Sequence, residues 1–516
     1  MTIDLTEDND LTLGPHDALT AAFILTLATD NAALQECLRR LETRAAQHRQ
    51  NALTLIAALA THNAALHDRI RNLEARLATN SRNSSKPPAS DGLRKRQPQS
   101  RRPRGQRRPG GQPGHLGSTL RPVDRPDVII PLPVTRCDHC GTNLTDQSAD
   151  RQEKRQVFDL PPIKLNVTEY QADIKTCPHC HHCHRAPFPA HVKAPTQYGP
   201  RFHGTAVYAH VYQLLPYHRT AQFLNNLYGT QCSPATLYHL VQNAADTAAP
   251  RVADIRARLA HADVVHFDET GCRVNGTLQW LHTASTADFS YFEVHPKRGG
   301  EAMNHIAILP TFPGTAVHDH WHAYFNYDCR HALCNAHHLR ELIFAHEQDH
   351  QAWAATLSAF LLATKDRVDH AKAQGLTALT PDRLAQIDAE YRALLDRADQ
   401  ECPPPPPSPP GTKKTGRRKK SKSRNLLERL RRCQAEVLAF AHNFRVPFDN
   451  NQAERDIRMI KVKLKISGTF RTTAGAADFA CLRSYVLTAS KLHLSPFDAC
   501  IGLAHNDPFR LPPAPN

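Results

Sequence analysis

Val264-Val265-His266-Phe267-Asp268 is the stretch on which the fold turns. Its β-branched and aromatic residues read as a short strand, and the apolar run ends on a carboxylate. The same pattern recurs in Thr315-Ala316-Val317-His318-Asp319. Between them, 277–284 and 291–295 are β-rich runs bounded by turn residues, and 301–309 is helical in pattern. A further strand is expected near 331–334, and 339–400 turns helical before a proline run over 402–410. After it, 426–444 and 450–465 are again helical, and the second of these carries Glu454. Three strands, a helix, a strand and a late acid-bearing helix describe an α/β core interrupted by a helical insertion.

Asp268, Asp319 and Glu454 are therefore candidates to face one point, two from strand ends and one from a helix. Hard carboxylate oxygens suit Mg²⁺ or Mn²⁺, and a metal pair can stabilise both the attacking and the leaving oxygen of a phosphodiester. A chain with 49 acidic residues offers many such triples, so spacing alone leaves this set one among several.

At 516 residues the chain exceeds a single core. No apolar stretch approaches a membrane span, and the acidic start is unlike a signal peptide, so a soluble intracellular protein is expected. The 14 cysteines then point to metal rather than disulfides. The net charge of +15 is concentrated in two runs without acids. One comprises Arg94, Lys95, Arg96, Arg101, Arg102, Arg104, Arg107 and Arg108; the other supplies eight more cations over 413–424. Removing those sixteen leaves −1 on the remainder, so the excess charge is assigned to two tethers. Such segments neutralise nucleic-acid phosphates without reading sequence; a merely solubilising linker is the competing reading.

Towards the N-terminus, Ile24, Leu27, Leu34, Leu38, Leu41 and Leu55 fit one heptad seam, with Asn31 at an a position. Beyond a four-residue stutter the seam continues through Leu59, Asn63, Leu66, Ile70, Leu73 and Leu77. A self-associating coiled coil is expected, with a helical hairpin as the alternative. Paired prolines at 87 and 88 end it. Cys137-x-x-Cys140 and Cys177-x-x-Cys180 form two knuckles that can complete a closed, structural Zn²⁺ site, with Cys183, His139 and His179 as competing ligands. Two short helices around Gly229, the second capped by Ser233, could be a helix-turn-helix or a packing hairpin.

Taken in order, the motifs SSKPP (84–88), GGQPGH (110–115), the two knuckles, HFDETGCRV (266–274), HDHWHAYF (318–325), HALCNAHHLREL (331–342) and NNQAERDIR (450–458) resemble the DDE transposases of the insertion-sequence sixty-six family. The resemblance covers nearly the whole chain. It implies a multidomain α/β protein with an RNase H-like catalytic core carrying a helical insertion, an N-terminal coiled coil and a small zinc-binding module. The expected divisions are 1–80 coiled coil, 81–120 basic linker, 121–195 zinc module, 196–255 helical region, 256–345 and 426–490 the two parts of the core, 346–425 insertion, and 491–516 tail.

It further implies Asp268, Asp319 and Glu454 as the triad holding Mg²⁺ or Mn²⁺, with Glu269 and Asp456 turned away by strand and helix geometry. Arg455 and Arg458, with Lys461, Lys463 and Lys465, extend a basic face for phosphate. His318, His320 and His322 are expected on one strand face. The expected activity is metal-dependent cleavage and strand transfer at the ends of a bacterial insertion sequence. Expected partners are element-end and target DNA, a second copy of the chain, and accessory proteins of the same element; the expected location is the bacterial cytoplasm, at the nucleoid when DNA-bound. A catalytically unused DNA-binding accessory protein and a structure-selective nuclease are the alternatives.

Overall fold

The computed structural model describes residues 15–80, 83–84, 120–161, 163–405 and 420–513. The arginine-rich run 94–108, the motif at 110–115 and residues 413–419 of the second basic run lie outside the described residues. The chain divides into two units, Met1–Asn80 and Ser81–Asn516.

Among its described residues the first unit is one continuous helix, Pro15–Leu77, without a hairpin. At 1.5 Å per residue its 63 residues span about 95 Å. Its seam is open to solvent, with Leu27 at 52 %, Leu38 at 57 % and Leu66 at 44 % exposure. Among the described residues, no helix is long and apolar enough to cross a membrane.

The second unit is organised by a five-stranded sheet. A small hairpin, β1 (Ile174–Thr176) and β2 (Cys183–Arg185), precedes it in the chain. The sheet comprises β3 (Val264–Val274), β4 (Thr277–Ser285), β5 (Ser290–His295), β6 (Thr315–His318) and β7 (Arg330–Leu333), in the order β5-β4-β3-β6-β7. β3, β4 and β5 form an antiparallel meander, while β6 and β7 run parallel to β3. The β3–β4 turn is Asn275-Gly276 with φ of 48° and 75°, the pair of left-handed residues that a tight, right-twisted hairpin needs. β6 can lie against the start of β3 because Gly314 has no side chain: a Cβ there would meet the carbonyl oxygen of Ala262 at 2.4 Å.

β3 outruns its expected length. Asp268 sits in mid-strand, because antiparallel pairing with β4 continues to Val274 while parallel pairing with β6 stops at His266. The structure thus leaves the edge of β3 unpaired by β6 beyond His266, until Phe470 bridges in parallel to Val274.

Helices clothe the meander. Pro234–Ala260 and Thr473–Lys491 pack on one another and on β5, and Asn451–Ser467 lies on β3 and β4. The expected pair of short helices becomes Tyr217–Tyr228, closed by Gly229 at φ 67°, and a 27-residue helix capped by Ser233 Oγ accepting from the Thr236 N–H at 3.1 Å. Leu237, Val241, Val252, Ile255 and Leu259 bury one face of that long helix. It shares a single apolar cluster with Val265 and Phe267 of the sheet and Phe479 and Tyr485 behind it. The 491–516 segment also enters this cluster, through Cys500 and Leu503 of the helix Pro496–Ala504.

The insertion has its own core. Ala352–Ala373, Pro381–Glu401, Lys422–Arg432 and Gln434–His442 gather around Leu357, Tyr391, Leu427 and Leu438, continuous with Val317 of β6 and Ala332 and Leu333 of β7. This corrects the charge assignment at 413–424. Lys420 bonds Glu428 at 2.6 Å, and Arg424 bonds Asp399 at 2.6 Å and Glu428 at 3.0 Å. Lys420 and Arg424 are therefore paired within the folded insertion, and Lys422 lies over the Phe344 ring.

Candidate metal centre

The registers of the parallel strands build the site. His266 pairs with Val317, so Asp268, two residues on, falls level with Asp319, and both side chains share one face by strand parity. His318 pairs with Leu333, so Asp319 is level with Cys334. Asp268, Asp319 and Cys334 thus stand in a row beyond the carboxyl ends of β6 and β7, the position where open α/β sheets present their ligand sites.

Glu454 reaches this row from the helix Asn451–Ser467, and Asn450 sets its place. Asparagine is a favoured helix cap, yet here its side chain makes no cap hydrogen bond. Its Nδ2 donates to the carbonyl of Phe267 at 2.8 Å and its Oδ1 lies 2.8 Å from His266 Nδ1, while its backbone N–H donates to Cys334 Sγ at 3.1 Å. One residue therefore pins the start of the helix to β3 and to the end of β7.

The three acids act on one another. Burial, then the charge of Glu269, and further those of Asp319 and Glu454, push the Asp268 carboxyl up to about 8. Close, poorly hydrated carboxylates are costly without a counter-charge, which is what a divalent cation supplies. Asp319 is oriented by the Trp321 N–H, which donates to Oδ1 at 2.8 Å. Glu454 has His337 Nδ1 3.8 Å from Oε1 and Arg340 3.8 Å from Oε2.

The neighbouring acids are engaged elsewhere. Glu269 is bound by Arg298 at 2.6 Å and accepts the Tyr324 hydroxyl at 2.5 Å. Asp456 is buried and takes Lys491 at 2.7 Å, Ser285 at 2.5 Å and Ser290 at 2.8 Å.

A groove of about 270 Å³ opens beside Asp319 and is lined by Arg298, Trp321, Cys334, His337, Arg340 and Arg429, with Ser84 at its rim. Arg298 is held flat, its guanidinium 4.1 Å from the Trp321 ring and 4.9 Å from the Trp280 ring. Cations around a carboxylate cluster suit an anionic backbone brought against bound metal. Asn450, His337 and Arg340 lie within motifs the sequence displayed, but their roles depend on contacts across more than a hundred residues; Arg298 lies outside those motifs.

Several expected residues behave differently. Arg455, Arg458, Lys461 and Lys465 are exposed, but Lys463 is buried over Phe470 and Phe479, and loss of hydration pulls its ammonium down to about 8. It leaves the basic face because the helix turns it into the core. The three histidines around Asp319 do not share a strand face, since β6 ends at His318. His318 is fully buried, 3.0 Å from His331; His320 approaches Cys433 at 3.6 Å; His322 begins a short 3₁₀ turn.

The zinc knuckles are built alike. In each, the first cysteine's carbonyl accepts from the residue four on, Gly141 or His181, both with positive φ, and its N–H donates to the residue five on. The Cys140 thiol is drawn down to about 7, chiefly by its hydrogen bond with Thr142, and that of Cys177 is lowered chiefly by the Cys180 amide. Thiols stabilised as thiolates by N–H and O–H donors fit Zn²⁺. Each pair is formed locally; among the described residues the ligand atoms that lie within 4.8 Å of one another are those of Cys334, His337 and Glu454.

Three family models match. The transposase IS66 family matches residues 195–478, which contain the sheet, the three acids and the insertion. The zinc-finger binding domain of transposase IS66 matches 135–181, which contain all four knuckle cysteines, and a family of unknown function matches 27–121. No curated protein matches the chain.

Proposed function

The chain belongs to the IS66 transposase family, and from that premise we propose that it cleaves DNA strands at element ends and transfers them to a target through an RNase H-like, DDE-type centre formed by Asp268, Asp319 and Glu454. The observation that carries this reading is the register that sets Asp268 level with Asp319 beyond the ends of the parallel strands, with Glu454 pinned opposite by Asn450. A bound Mg²⁺ or Mn²⁺ pair would supply Lewis-acid stabilisation of the attacking and leaving oxygens. The chain's own residues do the rest. The three carboxylates would hold the cations, and Asp268 would release its proton to solvent to serve as a ligand. Arg298 and Arg340 orient the phosphate from the groove, and Trp321 fixes both Asp319 and Arg298.

The cysteines at 137, 140, 177 and 180 are the proposed Zn²⁺ ligands of the zinc-finger domain. Arg94, Lys95, Arg96, Arg101, Arg102, Arg104, Arg107 and Arg108 are proposed to hold DNA through phosphates, with Arg455 and Arg458 closer to the centre. The exposed seam of Pro15–Leu77 supports self-association as a coiled coil.

The test is nicking and 3′-end joining of element-end DNA by the purified chain with Mg²⁺ or Mn²⁺. Asp268→Ala should abolish both steps while DNA binding persists. Cleavage retained in that variant would overturn the assignment of the triad.

A further inference from the structure

Cys334, His337 and Glu454 each offer one ligand atom, and these atoms lie within 4.8 Å of one another. The first two come from one local motif: Cys334 precedes the helix Asn335–Glu347, and His337 stands in that helix's first turn. Glu454 arrives from the helix that Asn450 pins to Cys334 itself.

Two of the three atoms are buried without a hydrogen bond, His337 Nδ1 and Glu454 Oε1. They face each other at 3.8 Å. Buried polar atoms without a hydrogen bond are costly, so an arrangement that keeps two of them face to face calls for a third party. Tetrahedral ligands at about 2.0–2.1 Å from one Zn²⁺ lie about 3.4 Å apart, so this pair needs to close by only a few tenths of an ångström. Cys334 Sγ accepts the Asn450 N–H at 3.1 Å, the kind of donor that steadies a coordinating thiolate.

The donor set decides the ion. A thiolate and an imidazole are poor ligands for Mg²⁺ and good ones for Zn²⁺. Cys334 and His337 both line the groove, which leaves the fourth position open to it. We propose that Cys334, His337 and Glu454 form a binding site for a zinc-class divalent cation, separate in chemistry from the carboxylate pair at Asp268 and Asp319, and that its occupation draws Glu454 away from catalysis. The second half of this proposal rests on the reading of Glu454 as a triad member; the first half does not.

The experiment uses the full chain with its zinc-finger zinc in place, titrated with Co²⁺ as a spectroscopic probe. The expected result is one additional equivalent bound with a thiolate-to-cobalt charge-transfer band. Cys334→Ser should lose that band, and His337→Gln should weaken binding about 10–100-fold, the usual cost of disturbing a metal's ligand environment. Absence of the band in the parent chain, or its persistence in both Cys334→Ser and Cys334→Ala, would overturn the site.

Zn²⁺ is then added to nicking assays in excess Mg²⁺, each variant referred to its own zinc-free rate. The parent chain should be inhibited, and Cys334→Ser should need at least about tenfold more zinc, the lower end of that ligand effect. Equal inhibition of both would overturn the regulatory half while leaving the site standing. A parent chain that binds Co²⁺ but never nicks DNA would count against the proposed function and not against the site.

Discussion

Replacing Asp268 with Asn should make the metal-free protein more stable, and the structure supplies both the sign and the size. Burial and the adjacent charge of Glu269 raise the Asp268 carboxyl from 3.8 to about 8. Between those two values the folded chain holds a proton that the unfolded chain has released. Stability contributed at this position therefore falls as pH rises through that window and levels off above it. At pH 7 the window has been crossed by about three pH units, which at 1.36 kcal/mol per unit sets an upper bound of ~4 kcal/mol. Asparagine has similar shape and no charge, so Asp268→Asn should recover about 2–4 kcal/mol at pH 7, and almost none near pH 4.

Thermal unfolding without divalent metal, at several pH values, reads this directly as a Tm several degrees above the parent that converges on it in acid. Adding Mg²⁺ reverses the comparison. A cation at a hundred times its Kd adds about 2.7 kcal/mol to a chain that binds it, and Asp268→Asn should gain little of this. A metal-free Asp268→Asn less stable than the parent at pH 7 would refute the reasoning. So would an equal Mg²⁺ effect on both.

Asn450→Ala should cost about 2–3 kcal/mol, since it removes two side-chain hydrogen bonds and orphans the Phe267 carbonyl. Denaturant midpoints read that loss, and nicking should fall more than DNA binding because Glu454 loses its anchor. Lys491→Met should destabilise by about 3–5 kcal/mol, leaving Asp456 buried and unpaired, and adding Asp456→Asn should restore much of it in the same denaturant series. For the N-terminal helix, Leu38→Glu combined with Leu66→Glu places charges on the exposed seam; sedimentation should show a smaller assembly, and an unchanged mass would remove the coiled-coil reading.

Strand existence was legible because the runs are short, β-rich and set off by turn residues. The five strands of the sheet fall on the five stretches that pattern marks. What pattern could not supply was pairing. That β3 continues past Asp268 follows from the long register with β4, a property of two segments together. The burial of Lys463 is likewise a matter of which helix face meets Phe470 and Phe479, and charge counting treats it like its exposed neighbours Lys461 and Lys465. The period-two reading of His318, His320 and His322 assumed a strand that stops one residue into the set. Asn450 occupies a helix-cap position, and its side chain is spent on β3 instead.

That diversion explains how the centre tolerates its insertion. More than a hundred residues separate Leu333 from Asn450, and they fold around a core of their own. If the path of that chain set the position of Glu454, small changes in the insertion would displace it, and a misplacement of about 1 Å costs on the order of a hundredfold in rate. Instead the helix start is fixed locally, by Asn450 to Phe267 within β3 and to Cys334 just past β7. The entropic cost of a longer connection grows only logarithmically, by about 0.6 kcal/mol per doubling, which two or three buried hydrogen bonds offset. The proposed centre beside β3 and beyond the ends of β6 and β7 is thereby insulated from the length of the segment between Leu333 and Asn450, and the same clamp is what brings Glu454 to His337 and Cys334.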